Sequence, residues 1–322
     1  MVLHCTICGN EENNKMHEAR EMMFGFRDKF NYLECGRCGC LSLINVPANL
    51  SRYYPDNYYS FTEVAYKHNP FKIFLKKQLI KFRVYKQNNL LGKFLSKFYP
   101  DNEEFYQWFE KIKLPLTAHV LDAGCGSGNL LLKLRKSGFI NVEGIDPFIA
   151  KDIHYPGGVT ISKKSLDQVT GQYDLIIFNH SFEHMPDPEG VLKKTLALLQ
   201  KGGCALVRVP VAGTYAWKTY GVNWVQLDAP RHLFLHTISS MKLLSERVGF
   251  NRMDYVFDSR DFQFWGSEQY LKDIPLRDPR SYAELYDESL FSKQQMKEFA
   301  EKAEELNKAN DGDAATFYLF KD

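Results

Sequence analysis

Asp122, Gly124, Gly126 and Gly128 alternate along Val120 to Asn129, an apolar run that breaks into a glycine-rich turn. Glycine lets the backbone fold under a ligand where any Cβ would collide with it. A helix expected to start at Asn129 would present free amide groups and the positive end of its dipole. A second strand, Val142 to Ile145, delivers Asp146. A carboxylate about 20 residues past such a turn can accept both hydrogen bonds of a ribose diol. The ligand is therefore expected to be an adenosine derivative. A dinucleotide fingerprint requires a third glycine where Asn129 stands, and a phosphate loop requires a following Gly-Lys-Ser/Thr. Both are absent. A carboxylate at Asp122 can face an ammonium group, so a ribose-bearing ligand with an amino-acid tail fits best: S-adenosylmethionine.

A second set of chemical groups lies near the N-terminus. Cys5-x-x-Cys8-Gly9 and Cys35-x-x-Cys38-Gly39 are paired knuckles. Two residues between thiolates let a tight turn aim both sulfurs at one ion, and four thiolates complete a tetrahedral zinc site. Cys5, Cys8, Cys35 and Cys38 are thus expected to hold a structural zinc that contributes folding energy to a small ribbon. Cys40, Cys125 and Cys204 read as buried packing residues.

Val120 to Gly128, Gly144-Ile145-Asp146, Tyr173 to Ile177, Phe182 to Pro188 and Leu199 to Gly203 resemble, in order, the successive motifs of class I S-adenosylmethionine-dependent methyltransferases. The resemblance covers roughly 115–258. It implies that Asp122, Gly124 and Gly126 line the methionine end, with the Gly124–Cys125 backbone near its carboxylate. It implies Asp146 at the ribose, Pro147 at the adenine, Ser165 and Leu166 at the adenine edge, and Asn179 and His180 near the sulfonium. One departure is Ser165, which stands where the family often carries an acid, with Asp167 two positions late.

Methyl transfer is an in-line displacement, so a base is needed only for an acceptor that holds its proton tightly, such as a hydroxyl or carbon acid. His180, His184 and His232 are the candidates, because imidazole titrates near neutrality. Asn179 is followed by His180-Ser181-Phe182 rather than the Asn-Pro-Pro-Tyr/Phe of enzymes that methylate nucleobase or amide nitrogens. The four-cysteine head, the Tyr58-Tyr59-Ser60-Phe61 loop and Asp228 to Leu233 resemble bacterial methyltransferases of glycan and secondary-metabolite pathways. Related sugar C-methyltransferases carry a further C-terminal domain, for which this chain is too short. The expected reaction is O- or C-methylation of a sugar, nucleotide-sugar, glycan or small-molecule acceptor. Alternatives are an RNA methyltransferase gripping substrate with its ribbon and basic helix, and a non-catalytic cofactor-binding scaffold.

Alternating strands near Val120, Val142, Val159, Leu175, Leu206 and Tyr255, with Thr316 to Phe320 as a final antiparallel strand, imply an α/β fold. It reads as a doubly wound, seven-stranded Rossmann-like sheet with ligands at the carboxyl ends of its strands. The expected organisation is a zinc-ribbon head over 1–48, an aromatic loop and basic helical linker over 49–114, and a catalytic domain over 115–322. Insertions at 210–236 and 265–310 interrupt that domain. Trp217, Trp224 and Arg231 in the first insertion, with Tyr58 and Tyr59 as a lid or a packing turn, are the expected acceptor contacts. Ser292 to Asn310 reads as a surface helix.

Between Glu63 and Asp101 there are nine lysines or arginines and no acid, interleaved with Phe71, Phe74, Leu75, Leu79, Ile80 and Phe82. That pattern fits a helix with one face on the core and a solvated basic face; peripheral contact with an anionic membrane is the alternative. A net charge of +2 gives no global reason to bind nucleic acid. No run approaches the ~20 apolar residues of a span, and no signal-peptide layout appears, so the expectation is a cytoplasmic enzyme.

Overall fold

A computed structural model describes residues 4–322 except 56–59, 61, 63, 64, 100–102, 104 and 286–288. The described residues form twelve strands. They are β1 (Lys15–Arg20), β2 (Lys29–Glu34), β3 (Leu41–Leu43), β4 (His119–Ala123), β5 (Asn141–Ile145) and β6 (Ile153–Tyr155). Then come β7 (Val159–Ser162), β8 (Tyr173–Asn179), β9 (Leu199–Pro210), β10 (Phe234–Leu235), β11 (Arg252–Phe257) and β12 (Ala314–Phe320).

The large sheet has the order β11-β12-β9-β8-β4-β5-β7-β6. β4 pairs in parallel with β5 and β8, and β5 with β7. Parallel strands buried on both faces are continuous apolar runs, which is what Leu175 to Phe178 and Cys204 to Val207 supply. β12 runs antiparallel to β9. Lys321 exchanges backbone bonds with Gly202 and Gly203 at one end (2.7 and 3.0 Å), and Val211 donates to Asp313 at the other (2.8 Å). The sheet has eight strands, not the expected seven. Gly157 and Gly158, at φ +88° and +85°, turn the chain back so that β6 pairs antiparallel with β7, Tyr155 opposite Val159.

The small sheet, β1-β2-β3-β10, corrects the three-part division expected from sequence. The head does not close on itself, because Phe234 and Leu235 complete its sheet opposite Ser42 and Leu41. The compact units are Met1–Asp56, His180–Lys193 and Val207–Leu319 on one hand, and Asn57–Asn179, Lys194–Leu206 and Phe320–Asp322 on the other. In the first, the cysteine knuckles share one core with Trp217, Tyr220, Trp224, Leu227 and Phe264. The insertion at 210–236 is therefore largely core.

The helix Asn129–Lys136 starts where expected, on Gly128 at φ +83°. Lys293–Lys308 is capped by Ser292, whose side chain accepts from Gln295 N. The basic segment forms two helices, Pro70–Arg83 and Leu90–Leu95, rather than one. Asn69 and Asn89 each accept an amide of their own first turn, and an asparagine cap contributes about 1 kcal/mol to a helix start.

Candidate functional site

Two constellations and a cysteine cluster emerge from these elements. In the second compact unit, β4 and β5 lie in register, Asp122 opposite Gly144. The chain leaves β4 through Gly124, Gly126 and Gly128, all at positive φ. A Cβ on Gly126 would lie 2.4 Å from the Ser60 carbonyl oxygen, and one on Gly144 would lie 2.5 Å from Cys125 Sγ. Neither position tolerates another residue without moving backbone or a buried thiol. Gly126 N donates to Asp146 Oδ2 (2.9 Å) and Phe148 N donates to Asp146 Oδ1 (2.8 Å). Asp146 thus braces the glycine turn from just beyond β5.

Asp122 is buried, and that burial, with the neighbouring Asp146 charge, pushes its carboxyl up to about 7. At the end of β8, the Asn179 Oδ1 is buried without a hydrogen-bond partner among the described residues. Pro147 and Phe148 are exposed beyond β5, and Phe148 is an aromatic surface that motif reading passed over. Ser165 and Gln168 cap the short turn that begins at Leu166, with Ser165 N donating to Gln168 Oε1 (2.9 Å). A local capping role explains a serine there. These groups bring together a diol acceptor, a carboxylate suited to an ammonium, an orphaned amide oxygen and a backbone cradle. They fit S-adenosylmethionine.

In the first unit, the chain following β8 places three imidazoles around a buried carboxylate. Glu183 is wholly buried, and neither of its oxygens accepts a hydrogen bond among the described residues. His180 Nδ1 lies 3.6 Å and His232 Nε2 3.9 Å from Glu183 Oε1. Burial pushes the Glu183 carboxyl up, but His180, His184 and His232 outweigh it and hold it at about 2. His232 Nδ1 lies 2.7 Å from the Gln226 carbonyl and His184 Nδ1 2.8 Å from the Arg231 carbonyl. A carbonyl only accepts, so both Nδ1 atoms carry hydrogen and both Nε2 atoms present lone pairs. Burial, then the neighbouring His184, draws His232 down to about 4, with Asp228 and Glu183 pulling the other way. His184 is the half-exposed member, and Tyr54 Oη lies 3.1 Å from its Nδ1.

His180 is differently placed. Its Nε2 lies 2.5 Å from Arg208 Nη1, a cation that only donates, so that lone pair is occupied. Arg208 Nε in turn donates to Asp258 Oδ2 (2.7 Å). His180 is thus a hydrogen-bonded relay member, not a free base. Tyr54 belongs to the aromatic loop that sequence marked as a lid or a packing turn, whereas Arg208 and Asp258 carry no sequence signal, because their relation to the imidazoles exists only in the folded chain.

Three expected acceptor contacts are corrected. Arg231 is fully buried and donates to Glu21 (2.9 Å), Asp228 (2.6 and 2.9 Å) and the Tyr53 carbonyl (3.2 Å). Its guanidinium is spent on protein partners, which hold the backbone beside His232. Trp224 is fully buried and donates to Asp313 Oδ2 (2.9 Å). Trp217 is buried against the head, with Nε1 directed to Glu34 Oε1 (3.3 Å). Tyr58 and Tyr59 lie outside the described residues.

Cys5, Cys8, Cys35 and Cys38 lie with all Sγ atoms within 4.8 Å of one another. The knuckles repeat one geometry: Gly9 N donates to Cys5 O (2.8 Å) and Gly39 N to Cys35 O (2.9 Å). Gly9 and Gly39 sit at φ +73° and +70°. Arg37 N and Cys38 N both point at Cys35 Sγ (3.4 Å), bonds that suit a thiolate. Four soft donors at this spacing can hold a zinc ion. Glu183, His184 and His232 form the other group whose ligand atoms meet a 4.8 Å limit among the described residues.

Residues 93–254 match the sequence model of a family described as a methyltransferase domain. The ubiquinone biosynthesis O-methyltransferase of Bordetella avium is 28% identical over 174 residues, 46% of this chain and 71% of that protein. Its counterpart in Erwinia tasmaniensis is 34% identical over 95 residues, 26% of this chain and 39% of that protein. Human EEF1A lysine methyltransferase 2 is 41% identical over 63 residues, 20% of this chain and 26% of that protein. Among solved structures, the cyclopropane synthase MmaA2 of Mycobacterium tuberculosis aligns with a TM-score of 0.43 at 15% identity, covering 79% of this chain and 94% of that one.

Proposed function

This chain belongs to the methyltransferase-domain family, and from that membership we propose that it methylates an oxygen or carbon of a sugar, glycan or hydroxylated small molecule. It is an S-adenosylmethionine-dependent methyltransferase. When bound, that cofactor supplies an electrophilic methyl group. Asp146 takes the ribose hydroxyls, Pro147 and Phe148 flank the adenine, and Ser165 and Leu166 border its edge. Asp122, Gly124, Cys125 and Gly126 receive the amino-acid tail, and Asn179 Oδ1 lies near the sulfonium.

The observation that carries the acceptor class is the Glu183–His184–His232 group. An amine or thiol can be methylated without a positioned base, whereas a hydroxyl or carbon acid holds its proton tightly and needs one. His184, half-exposed and with Nδ1 fixed on the Arg231 carbonyl, leaves Nε2 as the atom that can accept a proton. His184, the half-exposed member, takes the acceptor proton. Buried Glu183 stabilises the imidazolium that forms, and His232 packs edge-on against that ring (4.8 Å between centroids). The likeness to the ubiquinone biosynthesis O-methyltransferase of Bordetella avium favours a second reading within the same chemistry, the hydroxyl of a ubiquinone-pathway intermediate. We further propose that Cys5, Cys8, Cys35 and Cys38 hold structural zinc, outside the chemistry.

The test is a cell extract incubated with the enzyme and S-adenosylmethionine labelled in its methyl group, followed by mass spectrometry of all products. Label on oxygen or carbon of a sugar, glycan or small molecule supports the reading; label in RNA or on protein nitrogen overturns it. His184→Ala and His232→Ala should each lower kcat by roughly 10²–10⁴-fold, His184→Ala the more, with cofactor affinity unchanged. Full activity in both variants would remove the proposed base.

A further inference from the structure

The basic segment is not absorbed by the chemistry above. Sixteen large hydrophobic side chains are exposed among the described residues, and seven of them fall between Phe71 and Tyr99: Phe71, Phe74, Leu90, Leu91, Phe94, Phe98 and Tyr99. Leu90 is 80% exposed and Phe71 70%. Single exposed apolar residues need no explanation, but a cluster of them does. Five of them lie on the two helices, Phe98 and Tyr99 follow the second, and the helices are packed tightly. A Cβ on Gly92 would sit 2.3 Å from the Gln78 carbonyl oxygen, and Asn89 Nδ2 donates to Gln78 Oε1 (2.6 Å). Leu79, Ile80 and Leu95 are buried, so these helices already have packed positions and still leave the seven outside.

Charge says what covers them. Nine cations and no acid lie between Lys67 and Lys97, in a chain whose net charge is only +2, so the remainder is net negative. Lys76 and Lys86 pair with Glu103 and Glu110 (3.6 and 3.0 Å). Lys72, Lys81, Lys93 and Lys97 meet no carboxylate among the described residues. A second copy of this face would set cations against cations. A nucleic acid would satisfy the lysines and could stack on the aromatic rings, but it gives the aliphatic Leu90, 80% exposed, and Leu91 no apolar phase to enter. An anionic bilayer satisfies both features. Aromatic and aliphatic tips enter the boundary between headgroups and acyl chains, while lysines extend along them to lipid phosphates.

We propose that the helical pair Pro70–Arg83 and Leu90–Leu95 docks this enzyme reversibly on an anionic lipid bilayer. The contact is peripheral, since no described helix is long and apolar enough to cross a membrane.

The full chain should co-sediment with vesicles of phosphatidylglycerol and phosphatidylcholine, but not with vesicles of phosphatidylcholine alone, and high salt should release it. Leu90→Ser combined with Phe94→Ser, and separately Lys72→Glu combined with Lys93→Glu, should each weaken vesicle binding on the order of tenfold or more. All four positions are exposed, so melting temperature and cofactor affinity serve as folding controls and should not move. Equal binding to neutral vesicles, or none to anionic ones, overturns the proposal. So does salt-sensitive binding to RNA without vesicle binding, or a dimer that Leu90→Ser with Phe94→Ser dissolves.

Discussion

Asp122 lies inside the sheet beside Asp146, and the two factors that raise its carboxyl, burial and a neighbouring charge, both penalise ionisation. Its folded value of about 7 stands above its ordinary 3.8. The native state therefore holds a proton that the unfolded chain has lost, and stability falls as pH rises from about 4 to about 7. A cationic amino-acid tail on the cofactor reverses that penalty. Cofactor affinity should rise about tenfold between pH 6 and pH 8, following the ionised fraction. Asp122→Asn should bind more weakly and flatten the profile, as isothermal titration at several pH values would show. A wild-type profile that is itself flat would remove the ammonium-facing role. The glycine turn and Asp146 were legible because one local stretch of chain carries them. Trp224 was not, since an aromatic insertion looks the same in sequence whether it lines a pocket or fills a core.

At the scale of elements, spacing alone revealed the knuckles, because a CxxC-Gly turn is local geometry. It could not reveal β10, whose partner strand lies far away in the chain. That pairing matters for function as well as folding: Tyr32 on β2 donates to the His232 carbonyl (2.8 Å), and Leu233 N donates to the Glu183 carbonyl (2.8 Å). The head thus steadies the imidazoles through backbone. Leu235 and Leu41 are opposite each other and fully buried. Leu235→Ala should cost about 2–5 kcal/mol and should also speed zinc loss to a chelator, although it touches no cysteine. Cys35→Ser should abolish zinc binding at the proposed four-cysteine site and lower the melting temperature. Metal analysis and thermal unfolding read both. A Leu235→Ala protein that melts early but keeps zinc as tightly as wild type would show the knuckles to be independent of β10. The split of the basic segment into two helices was latent in Asn69-Pro70 and Asn89, capping signals that a uniform apolar spacing overshadowed.

For the whole molecule, the first compact unit is assembled from three separated stretches of chain, and its buried interactions tie them together. Arg231 binds Glu21 and the Tyr53 carbonyl, and Trp217 reaches Glu34. A buried guanidinium with two carboxylates is tolerable only when all three are present, since one unpaired buried charge costs about 3–5 kcal/mol. The alternation of strands and helices made the doubly wound sheet legible, but it carried no information about which insertion would close the head. A fragment of residues 1–56 lacks β10, Trp217, Trp224 and Arg231. It would leave Leu41, Tyr32 and Glu21 without their cover. That fragment should bind zinc through its four cysteines yet show no cooperative thermal transition and poorly dispersed amide resonances. Adding zinc should sharpen only the knuckle turns, because metal ligation fixes local loops while the core that buries them lies elsewhere in the chain. A zinc-loaded fragment with dispersed resonances and cooperative melting would instead establish the head as a domain in its own right.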